Sequence, residues 1–149
     1  MTDISFYHLL NTPVEKAIPL LVEKLLESGS RGLIRTGSEE RAEIICSVLW
    51  TYDTSSFLPH GTRRDANAAE QPIWITPDDE NPNGAEIILL IDGVTCADLK
   101  SYHRCLDIFD GRDADAVRDA RIRWQSYKDS GHAVTYWRQT ELGGWEKKV

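Results

Sequence analysis

Residues 86–92, Glu-Ile-Ile-Leu-Leu-Ile-Asp, decide the fold. The apolar residues 87–91 follow one another without a polar side chain between them. Because successive side chains of a strand point to opposite faces of the sheet, this run predicts a strand that is buried on both faces. Strands of that kind are typical of parallel sheets with helices on each side. The flanking sequence must therefore supply further strands and the helices that cover them.

Strands and helices alternate on both sides of this central strand. Apolar, β-branched and aromatic runs predict the strands 3–10, 32–36, 72–76, 86–92, 105–109 and 132–139. Apolar residues at helical spacing predict three longer helices: one that Thr12 caps and Gly29 ends, one between Ser38 and Trp50, and one from Asp110 or Asp113 to Ser130. The alternation predicts the α/β class, with three layers and a mostly parallel, twisted sheet that carries helices on both faces.

Two segments are predicted to lack regular secondary structure. The stretch 51–71 is polar and rich in turn residues, which predicts a long loop with a flexible part at 61–70. Residues 140–149 contain Gly143 and Gly144 and end in charged side chains, which predicts a flexible tail. We expect the whole chain, 1–149, to form one domain, since its length lies within the usual single-domain range.

The chain is acidic overall but carries one basic segment. Its formal net charge of −7 at pH 7 repels the phosphates of DNA on average, which argues against direct binding to a single strand. Between Arg112 and Lys128, however, the sequence has five basic residues and three acidic ones. We therefore expect the last helix to present a basic face.

The sequence lacks the motifs that would indicate catalysis. The turn at 11–13 has no glycine, and neither GxGxxG nor GxxxxGK[ST] occurs, so the fold resembles nucleotide-binding domains without their phosphate loop. His60 has no evident nucleophile beside it, and the cysteines and histidines lack the spacing of metal ligands. We predict a binding module that is not an enzyme and uses no cofactor or metal. A nucleotide-binding or enzymatic α/β domain and a direct binder of single-stranded DNA are the alternatives.

The N-terminal sequence and the apolar runs bear on location. Residues 1–10 lack a basic stretch followed by an apolar one, which argues against an export signal. No apolar run approaches the roughly 20 residues that a membrane span needs. We expect a cytoplasmic protein that makes no contact with a membrane.

Three features of the sequence together carry a resemblance to a known family. They are Leu49-Trp50, the phrase Ser56-Phe57-Leu58-Pro59-His60, and the segment 120–128, Ala-Arg-Ile-Arg-Trp-Gln-Ser-Tyr-Lys. With Phe6-Tyr7 in the first strand they span essentially the whole chain, and their combination is specific where each alone would be weak. On these residues the chain resembles the chi subunit of the bacterial DNA polymerase III holoenzyme.

The resemblance implies a non-catalytic subunit that acts with the clamp loader in DNA replication. One surface of such a subunit binds the acidic, phenylalanine-ended C-terminal tail of single-stranded-DNA-binding protein. Another surface contacts the psi subunit, which connects to the clamp loader. DNA is then reached only indirectly, through the protein that coats it.

The resemblance also implies a site for the tail. Its residues here would be Trp50, Phe57, Arg121, Arg123, Trp124, Gln125 and Lys128. Trp50, Phe57 and Trp124 would hold the terminal ring of the tail, while Arg121 would bind a carboxylate through its planar guanidinium. Gln125 stands where the family commonly has lysine, so Arg123 or Lys128 is expected to supply the missing positive charge.

Overall fold

Eight described strands form one open sheet in the computed structural model, which describes residues 2–52, 58–65 and 67–148. They are β1 (Asp3–Leu9), β2 (Gly32–Arg35), β3 (Gly61–Thr62), β4 (Ile73–Thr76), β5 (Ile87–Leu90), β6 (Arg104–Asp110), β7 (Ala133–Gln139) and β8 (Trp145–Lys147). Their order across the sheet is β3-β4-β2-β5-β6-β1-β7-β8. All neighbouring pairs are parallel except β7 and β8, which are antiparallel.

Three α-helices within the described residues cover the sheet. They are α1 (Val14–Glu27), α2 (Glu39–Thr51) and α3 (Ala114–Asp129), and short 3-10 turns occur at Ala68–Glu70 and Leu99–Ser101. The helices α1 and α2 pack in one hydrophobic cluster and α3 packs in another, so they lie on opposite faces. The α/β class, the three layers and the mostly parallel sheet are therefore confirmed. None of the described helices is long and apolar enough to cross a membrane.

The central strand β5 divides its side chains between the two clusters. Ile87 and Leu89 lie in the cluster beneath α1 and α2, whereas Ile88 and Leu90 lie in the cluster beneath α3. All four are buried. The apolar run therefore forms the doubly covered strand that the sequence predicted, because both faces of the sheet are shielded from water.

Two of the predicted helix caps are confirmed and one is wrong. The Ser38 hydroxyl accepts a hydrogen bond from the backbone N–H of α2, and the Asp113 carboxylate does the same for α3. At the start of α1, Pro13 occupies the cap position without a side-chain hydrogen bond. The Thr12 hydroxyl instead accepts a hydrogen bond from the Gln139 amide of β7, 2.9 Å away. A long-range partner has replaced the local one.

The described part of the predicted tail is not devoid of structure. Residues Trp145–Lys147 form β8, which pairs antiparallel with β7. Gly143 adopts a positive φ of 87° in the turn between these strands, which favours glycine there. The ring of Trp145 meets that of Tyr7 edge to face, with 5.0 Å between the ring centroids. This contact across the sheet is invisible to local sequence patterns, which is why the strand was missed.

The predicted loop 51–71 likewise contains short regular elements among its described residues. Gly61–Thr62 forms β3 at the edge of the sheet, and Ala68–Glu70 forms a 3-10 turn. Both lie in the part that the sequence predicted to be flexible. They are too short for a periodic pattern, and the pairing of β3 with β4 fixes the first of them.

Candidate functional site

An open pocket of about 290 Å³ lies where α3 meets the β7–β8 edge of the sheet. Its lining residues are His8, Arg121, Trp124, Tyr136, Arg138 and Lys148, and we call it the basic pocket. The floor is formed by the parallel strands β1 and β7, in which Phe6 lies opposite Tyr136 and His8 lies opposite Arg138. Because side chains alternate along a strand, His8, Tyr136 and Arg138 all point to the face that carries α3.

Aromatic rings form the floor of the basic pocket. The Trp124 indole meets the rings of Phe6 and Tyr136 edge to face, at centroid distances of 5.8 and 5.7 Å. Tyr136 in turn stacks on the buried Phe6 at 6.3 Å. Trp124 is only partly buried, so one side of its ring seals the core while it also lines the pocket. Rings held this way offer a rigid apolar surface to a ligand.

Cations form the rim of this pocket, and none of the described residues that line it is a carboxylate. Arg121 and Arg138 are exposed, and neither has a hydrogen bond or ion pair with any of the residues that the structure describes. Lys148 forms an exposed ion pair with Glu146 at 3.1 Å. The ammonium of Lys128 lies 5.7 Å from the centroid of the Trp124 ring. The rim therefore attracts anions, and its two arginines have no internal partner that a ligand would need to displace.

His8 is fixed in the floor of the basic pocket in its neutral form. Its Nδ1 lies within hydrogen-bond distance, 2.5 Å, of the Tyr136 hydroxyl oxygen. Burial lowers the pKa of His8, and the charges of Arg138 and Arg121 lower it further. A Cβ added at Gly111 would lie 2.0 Å from the imidazole Cδ2, so only glycine leaves room for the ring there. Neutral His8 thus supports the aromatic floor without adding charge at pH 7.

The structure does not bring Trp50 together with Arg121 and Trp124. Trp50 lies near the end of α2, on the opposite face of the sheet and towards the β3–β4 edge, whereas α3 packs on β6 and β7. Its side chain is 59% exposed and its ring lies 4.8 Å from the His60 ring. Phe57 lies outside the described residues. A single pocket built from Trp50 and the α3 residues is therefore inconsistent with the fold.

Two further predicted residues are engaged elsewhere. The Arg123 guanidinium is buried and donates to both carboxylate oxygens of Asp107, at 2.7 and 2.9 Å. The Gln125 amide is exposed and donates to Asp129 at 2.9 Å. The charge of Arg123 is thus already neutralised inside the domain, and the expectation that this residue replaces a missing lysine stays a prediction. Lys128, the other expected replacement, does lie beside Trp124.

A second cavity, of about 390 Å³, lies at the carboxyl ends of the strands, between the N-termini of α1 and α3. Its lining includes six carboxylates, from Glu15, Asp92, Asp110, Asp113, Asp115 and Asp119, and we call it the acidic crevice. Its two arginines are neutralised: Arg123 by Asp107, and Arg41 by Glu15 at 2.6 Å and Asp92 at 3.1 Å. Nucleotide-binding α/β proteins place phosphates at this edge of the sheet, but these carboxylates would repel a phosphate.

His60 has a neighbour that the sequence did not reveal. The Cys46 sulfur lies 3.4 Å from His60 Nε2, and His60 Nδ1 lies 2.6 Å from the Leu58 carbonyl oxygen. Burial raises the pKa of the Cys46 thiol, and the negative charge of Asp65 raises it further. The thiol is therefore protonated at neutral pH, which is the opposite of an activated nucleophile. Within the described residues, no group of His, Cys, Asp and Glu could hold a metal ion.

Comparison with known proteins decides the family. Residues 1–135 match the family model described as DNA polymerase III chi subunit, HolC. The chain is also 29% identical to the probable DNA polymerase III subunit chi of Rickettsia prowazekii (strain Madrid E), over 99% of this chain and 92% of that protein.

The chain belongs to the DNA polymerase III chi subunit family. The resemblance seen in the sequence is thus confirmed, and it places the chain among the subunits of a replicative polymerase. Three residues of the basic pocket, Tyr136, Arg138 and Lys148, follow residue 135, where the match to the family model ends. The sequence signal that could have found two of them is the alternation in β7, which sets Tyr136 and Arg138 on one face.

Proposed function

We propose that this chain is a non-catalytic, cytoplasmic subunit of the clamp-loader complex of DNA polymerase III, which binds the acidic C-terminal tail of single-stranded-DNA-binding protein in the basic pocket. The observation that carries the proposal is an aromatic floor beside two arginines, Arg121 and Arg138, that have no partner among the described residues. The pocket thereby combines an apolar surface with unneutralised positive charge.

The chemistry of the tail fits both parts of the pocket. A peptide that ends in aspartates and a phenylalanine needs a surface for its ring and cations for its carboxylates. Trp124 and Tyr136 supply the surface. An edge-to-face contact between the ring of the tail and one of these side chains would contribute about 0.5–1.5 kcal/mol beyond the apolar area that it buries. Arg121 supplies a planar guanidinium that can bind a carboxylate through two hydrogen bonds.

The distribution of charge favours an acidic peptide over naked DNA. Single-stranded nucleic acid is bound along grooves that follow several phosphates, about four or more nucleotides for a small domain. Here the basic pocket is confined to one edge, and the chain as a whole carries a net charge of −7. Long-range repulsion therefore opposes an extended strand more than a short tail that places its charges only in the pocket.

A subunit that links two partners also needs a second surface that stays free while the tail is bound. On the opposite face of the sheet, α1 and α2 expose the large apolar side chains Leu20, Ile44, Trp50 and Tyr52. A groove of about 610 Å³ runs between the two helices beside Leu20 and Tyr52. Exposed apolar side chains beside such a groove are typical of protein interfaces. We assign this surface to psi, since both partners can then bind at once.

Titration with a synthetic tail peptide tests the proposal. We expect a dissociation constant in the micromolar range, equivalent to roughly −8 kcal/mol. Arg121→Ala should weaken binding by about 1.5–3 kcal/mol, because it removes a hydrogen bond to a charged group. The loss should shrink as salt rises, since an exposed ion pair is screened. The matched control is Arg118→Ala on the same helix, where the arginine pairs with Asp115 and Asp119 instead.

The Trp50→Ala variant separates the two surfaces. We expect it to bind the tail peptide like the parent and to lose affinity for psi. Equal loss of tail affinity in Trp50→Ala and Arg121→Ala would contradict the assignment of separate faces. Unchanged tail binding in a folded Arg121→Ala protein, checked by circular dichroism, would overturn the proposed pocket itself.

A further inference from the structure

The C-terminal hairpin β7–β8 contributes half of the rim of the basic pocket. We propose that Arg138 and Lys148 bind carboxylates of the acidic ligand. In the empty site Glu146 forms an ion pair with Lys148, and a carboxylate of the ligand displaces it. This inference rests on the proposed function and extends it from α3 to the hairpin. The hairpin would then contribute to affinity through Arg138 and Lys148, and Glu146 would compete with the ligand for Lys148.

The register of the hairpin sets these side chains on one face. In the register of β7 and β8, Arg138 lies opposite Glu146. The backbone N–H of Lys148 donates to the Tyr136 carbonyl oxygen at 2.9 Å. Alternation then directs Tyr136, Arg138, Glu146 and Lys148 towards the α3 side of the sheet. Lys147 pairs with Trp137 and therefore lies on the opposite face. Two neighbouring lysines of equal charge thus differ only in the face that they occupy.

The ion pair of Glu146 with Lys148 is easy to exchange. Both side chains are largely exposed, at 58% and 41%, and their nitrogen and oxygen atoms lie 3.1 Å apart. Exposed pairs contribute little to stability because water screens them and two flexible side chains must be ordered. A ligand carboxylate can therefore replace Glu146 at small cost. The same pair lowers the net positive charge of the rim while the site is empty.

The position of the hairpin cations indicates the class of ligand. Arg121 is on α3, whereas Arg138 and Lys148 are on the hairpin, and the rings of Trp124 and Tyr136 line the same pocket. A ligand that uses both groups of cations and the rings must carry more than one carboxylate and an apolar group. A peptide with several acidic residues and a terminal aromatic ring has this pattern, and a single carboxylate does not.

The test compares four variants of the full chain in titrations with the tail peptide. Arg138→Ala and Lys148→Ala should each weaken binding about twofold to fivefold, the range expected for exposed charge pairs. Glu146→Gln should strengthen binding by a similar factor, because it removes the internal competitor. Lys147→Ala removes the same charge from the opposite face and should leave the affinity unchanged. Circular dichroism confirms that each variant is folded.

Each outcome bears on a different part of the inference. Parental affinity in Arg138→Ala and Lys148→Ala, with a loss in Arg121→Ala, would overturn the hairpin contribution and leave the proposed function intact. Equal losses in Lys147→Ala and Lys148→Ala would show a long-range charge effect and would also overturn it. Unchanged affinity in Glu146→Gln would refute the competing role of Glu146. A short oligothymidylate that binds as tightly as the peptide and responds to Arg138→Ala would assign the pocket to DNA.

Discussion

The acidic crevice and the basic pocket lie on either side of α3 and differ in whether their arginines are paired with carboxylates of the domain. In the crevice, Arg41 and Arg123 are both neutralised by carboxylates of the domain. In the pocket, Arg121 and Arg138 have no such partner within the described part of the chain. Arg121 and Arg123 are only two residues apart, yet the turn of the helix sends them to different regions.

The difference shows that position in the fold, and not net charge, decides what a charged residue does. An arginine that is paired inside the domain contributes to stability and offers nothing to a ligand. An unpaired arginine on an exposed rim contributes little to stability and is available for binding. The crevice, where related architectures bind nucleotides, has become a structural network. The unpaired arginines lie instead on the face of the sheet that carries α3.

The largest expected effect concerns two arginines of α3, Arg121 and Arg123. Arg123→Ala should lower the free energy of unfolding by about 3–5 kcal/mol, because it leaves the buried carboxylate of Asp107 without its partner. Arg121→Ala should change it by no more than about 0.5 kcal/mol, since the residue is exposed. Denaturation by urea, followed by circular dichroism, measures both values. Similar losses in the two variants would contradict the proposed division between structural and binding arginines.

A double substitution sharpens this result. Asp107→Leu combined with Arg123→Met replaces the buried ion pair with apolar side chains of comparable size. It should recover most of the lost stability, because neither charge then remains buried without a partner. Failure to recover would mean that Arg123 stabilises the domain through contacts other than the Asp107 pair.

The next effect concerns Gly111, which lies where the two regions meet. A Cβ at this position would also lie 2.4 Å from the Leu9 carbonyl oxygen, so Gly111→Ala must displace both His8 and backbone. We expect a loss of about 1–3 kcal/mol of stability, as is typical of overpacking, and weaker binding of the tail peptide. Gly144→Ala is the control, because its nearest neighbour would be at 3.4 Å. Equal stability of the two variants would contradict the tight packing around His8.

A smaller effect is expected from the titration of His8. Burial lowers its pKa below the ordinary value, so its neutral form favours the folded state. This stability is complete above about pH 6.5 and is lost as the pH falls through the lowered pKa. A bound acidic peptide should raise the pKa of His8, so tail affinity should increase as the pH falls below the ordinary histidine value of about 6.5. NMR titration of the His8 ring, with and without peptide, measures the shift, and His8→Gln should abolish the dependence.

The smallest effect is expected from nucleotides. ATP with Mg²⁺ should leave the melting temperature unchanged, because the carboxylates of the acidic crevice repel phosphates. A ligand at about 100 times its dissociation constant would add about 2.7 kcal/mol of stability, which a thermal-shift measurement detects easily. Stabilisation by ATP that grows in an Asp119→Lys variant, where a carboxylate of the crevice becomes a cation, would show that the crevice is a nucleotide site and would remove the contrast with the basic pocket.

Local patterns in the sequence predicted the fold class and part of the candidate site. The apolar run 87–91 predicted the doubly covered strand, and the signals between Asp113 and Ser130 predicted α3. Arg121 and Trp124 were predicted as site residues and do lie side by side in the basic pocket. These features depend on neighbours within one element, and the periods of strands and helices determine such neighbours directly.

The sequence by itself determined the α/β class, the family and the composition of α3, because each follows from residues close together along the chain. Only the tertiary structure decided that Trp50 and Trp124 lie on opposite faces, that Arg123 is held by Asp107, and that Arg138 and Lys148 complete the rim. Those relations join residues far apart in sequence through the order of strands and the register of their pairing. Strand order and register are set by how the whole sheet buries its two faces, which no local period encodes.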